Sequence, residues 1–159
     1  MIQGKWLSPG SDLSDALSVR QTVFGFGSDD LDPLAWSAVV YQDGLPVASG
    51  RIWWQDGAFR LGEIGVLPAF RSRRLGDLML RLLLFKAKDH FAREVRLRCS
   101  RETEGFFSRL GFRRAGLEED ERPEDAELQE MMLPGDEIEL DSCKSCKKAN
   151  CPNRVNESV

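Results

Sequence analysis

The chain has 159 residues, of which 42% are hydrophobic and 30% are charged, so it can form one globular domain with a sizeable core. No apolar run approaches the roughly 20 residues of a membrane-spanning helix, and residues 1–9 lack the apolar stretch of a secretory signal. These features argue against a repeat array, a membrane protein and a wholly disordered chain, and they predict a cytoplasmic protein.

The net charge of -4 hides a strong asymmetry along the chain. Residues 71–114 contain thirteen arginines and lysines against five acids, whereas residues 116–141 contain twelve acids against one arginine. A basic block of this kind is typical of an anion site, either for nucleic acid or for a phosphorylated cofactor. A solvated helix face explains the same charges, so composition alone leaves both interpretations open.

The first half of the chain predicts one helix and a three-stranded antiparallel meander. Residues 12–24 place apolar side chains at three- and four-residue spacings after Ser11, a residue type that favours a helix N-cap. Strands are predicted at 36–41, 46–54 and 58–66. The two turns between these strands are Asp-Gly turns, which are the strongest local hairpin signal.

The second half predicts a long helix, a strand, a shorter helix and two weak strands. Their expected positions are a helix opening at about Leu75, a strand at 95–99, a helix at 102–110 that ends at Gly111, and strands at 112–115 and 128–133. This order implies an α+β fold with a parallel strand pair where the long helix crosses over. We expect a folded domain over residues 1–133 and a tail over residues 134–159.

The junction between the third meander strand and the long helix carries the clearest chemistry. A helix N-terminus offers free N–H groups and a partial positive charge, and Arg71, Arg73 and Arg74 add three formal charges just before it. Gly76 would let a ligand come close to the backbone. The segment therefore suits a diphosphate, although an ordinary helix start with surface arginines would look similar.

At this junction the sequence resembles the GNAT superfamily of acyl-CoA-dependent N-acyltransferases, in its small single-domain form. Members carry a strand ending in Val-x-Pro, then Arg or Gln, two residues, Gly, one residue, and Gly or Ala before a leucine-rich helix. Val66, Pro68, Arg71 and Gly76 fall on those places. The match predicts that the basic loop holds the phosphates of an acyl-CoA.

Two further segments are similar to the same superfamily, in the right order along the chain. Residues 106–112 (FFSRLGF) resemble its Phe-Tyr-x-x-Leu-Gly-Phe segment, and residues 19–24 (VRQTVF) resemble its first helix. The resemblance covers about residues 12–133. It implies a GNAT-like mixed, mostly antiparallel sheet flanked by helices, with a splayed pair of parallel strands.

The resemblance also implies an activity and its partners. The expected enzyme is an N-acetyltransferase that moves the acetyl group of acetyl-CoA to a primary amine, with a homodimer as the family-level expectation. CoA phosphates account for the basic block, so nucleic acid is not an expected partner. The cofactor-binding residues implied by the match are Val66, Arg71, Ser72, Arg73, Arg74, Leu75, Gly76 and Asp77.

Two departures from the family pattern open an alternative. Arg74 replaces the first glycine of the pyrophosphate loop, and Phe107 stands where many members carry a tyrosine that protonates the departing CoA thiolate. Phenylalanine has no proton to give. The alternative is a catalytically silent acyl-CoA-binding sensor or regulatory protein.

Glu63 is the candidate general base for the acceptor amine. An alkylamine with a pKa of about 10.4 is mostly protonated at neutral pH, so a proton must leave before it attacks a thioester. Glu63 lies on the third meander strand, three residues before Val66, close to the expected acyl group. The competing interpretation is a strand carboxylate that pairs with Arg51 or Arg60 across the sheet.

Three cysteines crowd the end of the chain at Cys143, Cys146 and Cys151. Their spacing is compatible with thiolate ligation of zinc or an iron-sulfur cluster, although three ligands are one short of a closed tetrahedral site. Reactive or disulfide-forming thiols and no specific role remain alternatives. Cys99 is expected to be a buried apolar residue and could complete a site only if the tail folds back.

Overall fold

A computed structural model describes residues 1–115 and 128–140 of the chain. Within these ranges the strands form one seven-stranded sheet in the order β1-β2-β3-β4-β5-β7-β6. The elements are β1 (Ile2–Leu7), α1 (Ser14–Phe24), β2 (Trp36–Gln42), β3 (Leu45–Gln55), β4 (Ala58–Val66), α2 (Leu75–Asp89), β5 (Glu94–Cys99), α3 (Arg101–Ser108), β6 (Arg113–Arg114) and β7 (Gln129–Pro134), with short 3₁₀ turns at Pro68–Phe70 and Gly135–Glu137.

The meander β2-β3-β4 forms as the two Asp-Gly turns predict. Asp43 and Gly44 have φ of 51° and 83°, and Asp56 and Gly57 have φ of 52° and 79°. Two successive residues with positive φ define the type I′ turn, whose twist matches that of the flanking strands. Local turn chemistry therefore sets the register of the meander.

The sheet contains one parallel pair among its described strands, β4 with β5, and the pairing is short. It covers Phe59 with Val95, Arg60 with Arg96 and Leu61 with Leu97. Strand β4 pairs over a longer stretch with β3, and the β3-β4 register shifts between Ser49 and Arg51. The bulge residue Glu63 takes a φ of 48°. The predicted fold class, a mostly antiparallel mixed sheet with a splayed parallel pair, is confirmed.

The two long helices cover opposite faces of the sheet. Met79 and Leu83 of α2 pack against Gly50, where an added β-carbon would lie only 3.0 Å from Leu83 Cδ1. Ala16 of α1 packs with Leu7 and Val39, whose side chain points away from the α2 face because strand residues alternate sides. The absence of a side chain at Gly50 thus lets α2 lie directly on the sheet.

None of the described helices is long and apolar enough to cross a membrane.

Four details differ from the sequence-based expectations. Residues 2–7 form the edge strand β1, which pairs with β2 and was not predicted because its side chains are mostly exposed. The first helix begins at Ser14, and Ser11 bonds the Ser8 carbonyl instead of capping it. The shorter helix predicted at 102–110 is α3, which ends at Ser108. Gly111 has the expected positive φ, 100°.

The fourth difference is the end of the domain. We expected it at residue 133, but Ile138 is 3% exposed and belongs to the main core, and Leu140 packs against that core. The Arg81 side chain donates to the Leu140 carbonyl at 2.9 Å. The folded domain therefore extends through residue 140, the last residue that the structure describes.

Candidate functional site

A cleft opens where β4 and β5 separate. Beyond the Leu61–Leu97 pair the two strands no longer hydrogen-bond, and a cavity of about 820 Å³ lies there, lined by the ends of α1 and β4, the start of α2 and part of α3. Seven of the eight predicted cofactor-binding residues line it: Val66, Arg71, Ser72, Arg74, Leu75, Gly76 and Asp77. We call this cavity the donor cleft.

Arg73, the eighth predicted residue, does not line the donor cleft. Its guanidinium lies 5.2 Å from the ring centroid of Phe70 and donates to the Gln42 side chain at 3.4 Å. Arg71 and Arg74 line the donor cleft but Arg73 does not, because the backbone turns between them. Arg73 is thus separated from the residues that the sequence groups with it.

The loop before α2 holds two non-glycine residues in left-handed conformation. Ser72 has a φ of 66° and Arg74, the residue that replaces the family glycine, has a φ of 59°. Such conformations cost non-glycine residues about 1 kcal/mol and are typical of functional loops. No side chain caps α2 at Arg74, so the first N–H groups of the helix remain available beside the cleft.

Gly76 leaves room in the cleft itself. A β-carbon built on it would lie 3.8 Å from both Phe106 Cζ and Val66 Cγ2, which line the cleft. Any side chain at this position would therefore project between these two residues. The geometry fits a site where a ligand approaches the helix backbone.

The backbone of Val66 faces the donor cleft. Leu67 N–H donates to the Val47 carbonyl of β3 at 2.8 Å. Because N–H groups alternate sides along a strand, the N–H of Val66 points away from β3, toward the gap left by β5. The Val66 carbonyl agrees with this direction, since it accepts a bond from Arg71 Nε at 3.1 Å.

The donor cleft is electropositive. Arg71, Arg74, Arg81 and Arg109 line it, and among its described residues Asp77 is the one carboxylate. Asp77 is paired with Arg81 Nε at 2.8 Å. The remaining positive charge suits an anionic ligand such as a diphosphate.

Phe107 lies outside the donor cleft. It is 7% exposed and packs its ring against Phe106 and Phe112, with centroid distances of 5.0 and 5.9 Å. Phe106, which the sequence analysis did not single out, lines the cleft instead. The described lining contains no tyrosine, histidine or cysteine that could serve as a proton donor.

Glu63 does not line the donor cleft. It lines a second cavity of about 620 Å³, together with Trp53, Gly62 and side chains of β5 and β7. We call this cavity the acceptor groove. Strand β4 passes from one cavity to the other, because Glu63 lines the acceptor groove while Ile64 and Val66 line the donor cleft.

The pairing of Glu63 with Arg51, foreseen as the competing interpretation, is present. Arg51 Nε donates to Glu63 Oε2 at 2.5 Å. The same guanidinium makes a bidentate contact with Asp29, at 2.6 and 2.7 Å, and bonds Asp32 at 3.1 Å. Arg20 of α1 completes the cluster through two bonds to Asp32, at 2.9 and 3.0 Å. We call these five residues the buried ion network.

The network is deeply buried at its cationic end. Arg51 and Arg20 side chains are 1% and 2% exposed, whereas those of Asp29 and Glu63 are 36% and 22% exposed. Asp29 and Glu63 therefore reach the surface, whereas Asp32 is buried with the guanidiniums at 6% exposure, and Glu63 is the network residue that lines the groove. Two arginines meet three carboxylates, so the network carries one net negative charge.

The network also shifts the pKa values of Asp29, Asp32 and Arg51. The hydrogen bond from Arg51 lowers the pKa of Asp29. Burial alone would raise the pKa of Asp32, but bonds from Arg20 and from the Asp29 N–H outweigh it and lower the pKa. Burial would likewise lower the pKa of Arg51, yet its bonds to Asp29 and Glu63 raise it. Asp29, Asp32 and Arg51 thus remain charged at neutral pH.

One feature of the sequence indicates this network. Arg51 stands in the middle of the apolar stretch 46–54, a position that must be buried, and a buried arginine needs carboxylate partners. Nothing local identifies those partners as Asp29 and Asp32. Only the folding of the loop over β3 brings them to it.

The predicted metal ligands Cys143, Cys146 and Cys151 lie outside the described residues, and their role stays a prediction. Within residues 1–115 and 128–140 no group of three or more His, Cys, Asp or Glu side chains could hold a metal ion. Cys99 is 4% exposed, as expected, and its Sγ lies 3.3 Å from Met131 Sδ. Burial raises the pKa of the Cys99 thiol, which disfavours the thiolate that a metal needs.

Comparison with known proteins agrees with this geometry. Residues 35–114 match the family model described as an acetyltransferase (GNAT) domain. The chain is 30% identical over 109 residues to the uncharacterised N-acetyltransferase YjcF of Bacillus subtilis, an alignment that covers 64% of this chain and 78% of YjcF. The predicted family is confirmed by these matches.

Solved structures share the fold at lower sequence identity. An acyl-CoA N-acyltransferase from Pseudomonas aeruginosa has a TM-score of 0.70 at 18% identity, covering 83% of this chain and 99% of that one. The ribosomal-protein-S18-alanine N-acetyltransferase of Escherichia coli has a TM-score of 0.67 at 18% identity, covering 84% and 94%. The PaiA N-acetyltransferase of Thermoplasma acidophilum, solved with coenzyme A, has a TM-score of 0.64 at 14% identity, covering 84% and 99%.

Proposed function

The chain belongs to the GNAT superfamily of acyltransferases, and on that premise we propose that it transfers the acetyl group of acetyl-CoA to a primary amine. The observation that carries the proposal is the course of β4, which lines an electropositive donor cleft with Ile64 and Val66 and a carboxylate-bearing groove with Glu63. Donor and acceptor can then approach the same strand from two neighbouring cavities. The reaction forms an amide N–C bond and breaks the thioester C–S bond.

The donor cleft is the proposed site of the CoA diphosphate. Arg71 and Arg74 supply charge, the uncapped start of α2 supplies N–H donors, and Gly76 leaves space for the ligand at the helix. Arg73 does not line the cleft and is left out of this role. These residues bind and orient the donor without taking part in bond changes.

The N–H of Val66 is proposed to polarise the thioester carbonyl. It points into the gap between β4 and β5, and its direction is fixed by the bond that the next residue makes with β3. A fixed N–H donor beside a developing oxyanion lowers the barrier without reorganisation during the reaction. This is a backbone contribution, so no side-chain variant removes it.

Glu63 is proposed to receive the proton of the acceptor ammonium, directly or through a water molecule. Its Oε2 is held by Arg51, while Oε1 has no hydrogen-bond partner among the described residues. One oxygen thus fixes the carboxylate and the other is free for the amine. The CoA thiolate has a solution pKa near 8.5 and can take its proton from solvent, since Phe107 offers none.

The test measures thiol release from acetyl-CoA over a panel of primary amines, beside calorimetric binding of acetyl-CoA. We expect turnover with at least one amine and a large loss of kcat in Glu63→Gln. Glu94→Gln is the matched control, because Glu94 also lines the groove but is paired with Arg96. Binding of acetyl-CoA without turnover on any amine would overturn the proposal and support the silent sensor.

Location and assembly are part of the same proposal. We expect a cytoplasmic enzyme and a homodimer, as the sequence and the family suggest. Cell fractionation and light scattering of the purified full chain test these two points.

A further inference from the structure

We propose that the acceptor is an amine that carries an anionic group, a carboxylate or a phosphate, on the same small molecule. Its ammonium would lie at Glu63 and its anion at Arg98, at the two sides of the acceptor groove. The inference rests on the proposed function, since it names the substrate class of that site. It concerns the acceptor alone and makes no use of the donor cleft.

The Glu63 side of the groove is anionic and rigid. The carboxylate is anchored through one oxygen to Arg51, which is 1% exposed and itself held by Asp29 and Asp32. The network has a surplus of one carboxylate, and Glu63 is the member whose carboxylate lines the groove. A cationic ammonium is the group that such a surface attracts.

The Arg98 side is cationic and open. Three arginines line the groove, and two of them already have carboxylate partners, Arg60 with Glu130 and Arg96 with Glu94 at 3.1 Å. Arg98 is exposed and has no ion pair or hydrogen bond from its side chain among the described residues. Glu130 stands opposite Arg98 in the β5-β7 register, but its carboxylate is engaged by Arg60.

The two sides flank the point where the strands part. Leu61 and Leu97 form the last β4-β5 pair, Arg98 follows Leu97 directly, and Glu63 comes two residues after Leu61. Paired strands lie about 4.8 Å apart, so both side chains start from neighbouring backbone at the mouth of the splay. A guanidinium has five N–H donors in a planar fork, which suits bidentate recognition of a carboxylate or a phosphate.

This arrangement separates acceptor classes. A diamine would place its second cation near Arg98 and be repelled, and an uncharged alkylamine would leave the guanidinium without a partner. A small amine that also carries an anion satisfies both sides at once. The preference should therefore appear in KM, because the anion is held in the ground state and in the transition state alike.

The test compares β-alanine with n-propylamine, which differ only in the carboxylate, and adds 2-aminoethyl phosphate to distinguish carboxylate from phosphate. In the parent enzyme we expect the anionic amines to have the lower KM. Arg98→Gln should raise their KM about 10- to 100-fold with little change in kcat, and should leave n-propylamine unchanged. Arg98→Lys should recover part of the loss, since it restores the charge but not the fork.

Arg93→Gln is the matched control, because it removes an exposed arginine that lines neither cavity. It should change KM for none of the three amines. Equal KM for β-alanine and n-propylamine in the parent, or equal losses in Arg98→Gln and Arg93→Gln, would overturn the inference while leaving acetyl transfer intact.

A second readout separates this inference from the proposed function. Binding of N-acetyl-β-alanine in the presence of CoA, measured by calorimetry, needs no turnover. If no amine is acetylated, the proposed function fails, and Arg98 still stands as the anion site of the groove if this ligand loses affinity in Arg98→Gln but not in Arg93→Gln. No binding, or binding that is insensitive to Arg98, would overturn that assignment.

Discussion

Arg51 of β3 and Glu63 of β4 are joined at 2.5 Å between Nε and Oε2, across the bulge that interrupts the regular pairing of these strands. Glu63 has a positive φ of 48° at this bulge, which directs its carboxylate to the α1 face of the sheet. The contact therefore links the backbone irregularity of β4 to the loop that carries Asp29 and Asp32. Arg51 thus joins all three carboxylates of the buried ion network.

Arg51→Met should lower the free energy of unfolding by about 3 to 5 kcal/mol, because removing one partner of a buried ion pair leaves carboxylates uncompensated. Urea unfolding measures this loss. Arg96→Met is the control: its pair with Glu94 is about one-third exposed, so the loss should stay within about 1 kcal/mol. Equal stability of Arg51→Met and the parent would show that the network adds nothing to stability.

The loss of stability at acid pH should depend on the carboxyl groups of Asp29 and Asp32. Their pKa values lie below the ordinary value of 3.8, so between the folded and unfolded pKa the unfolded state binds more protons. The stabilisation is present above about pH 4 and is lost as the pH falls through the folded pKa values. The free energy of unfolding, measured from pH 6 to 2.5, should fall less steeply toward acid pH in Asp32→Asn than in the parent. Asp30→Asn, an exposed neighbour, should retain the parent profile, and a parent profile in Asp32→Asn would contradict the assignment.

Gly76→Ala should have opposite effects on stability and on binding. Alanine favours a helix over glycine by up to about 1 kcal/mol, so the variant should be as stable as the parent or more stable. The added methyl group would lie between Phe106 and Val66 in the donor cleft and should weaken acetyl-CoA binding about tenfold or more.

Gly105→Ala in α3 is the matched control for Gly76→Ala. Its β-carbon would meet nothing within 4 Å, so it should add helix stability and leave acetyl-CoA affinity unchanged. Calorimetry and thermal unfolding measure both quantities. Unchanged affinity in Gly76→Ala would argue against a ligand at the start of α2.

Arg71→Ala should weaken acetyl-CoA binding, whereas Arg73→Ala should not. Both residues belong to the same basic loop, but only Arg71 lines the donor cleft. Loss of a charge-assisted contact to phosphate should lower affinity about 10- to 100-fold in calorimetry. Equal losses in the two variants would mean that the loop acts through its overall charge rather than through the cleft.

Phe107→Tyr should lower stability without restoring an acid. The ring is buried against Phe106 and Phe112, so a hydroxyl there would lack a partner and cost about 1 to 3 kcal/mol. We expect no gain in kcat from this variant. Phe106→Tyr places a hydroxyl on a ring that lines the donor cleft, and a rise in kcat there but not at position 107 would agree with the structure. A gain at position 107 would mean that this side chain reaches the reacting atoms.

The sequence by itself determined the order and type of nearly all the elements and the position of the donor loop. Asp-Gly turns, alternation in β4 and the leucine spacing of α2 are local signals, because each depends on residues within a few positions of one another. The loop motif from Val66 to Gly76 is local in the same sense. These features needed no knowledge of the rest of the chain.

The tertiary structure alone decided which of these residues meet. The edge strand β1 forms only because β2 offers it a partner, and Arg51 finds Asp29 and Asp32 only because the loop after α1 folds over β3. Strand β4 passes from the acceptor groove to the donor cleft at the bulge that contains Glu63. Phe107 and Arg73 point away from the cleft for the same physical reason: the direction of a side chain is set by packing between distant segments, which no local pattern records.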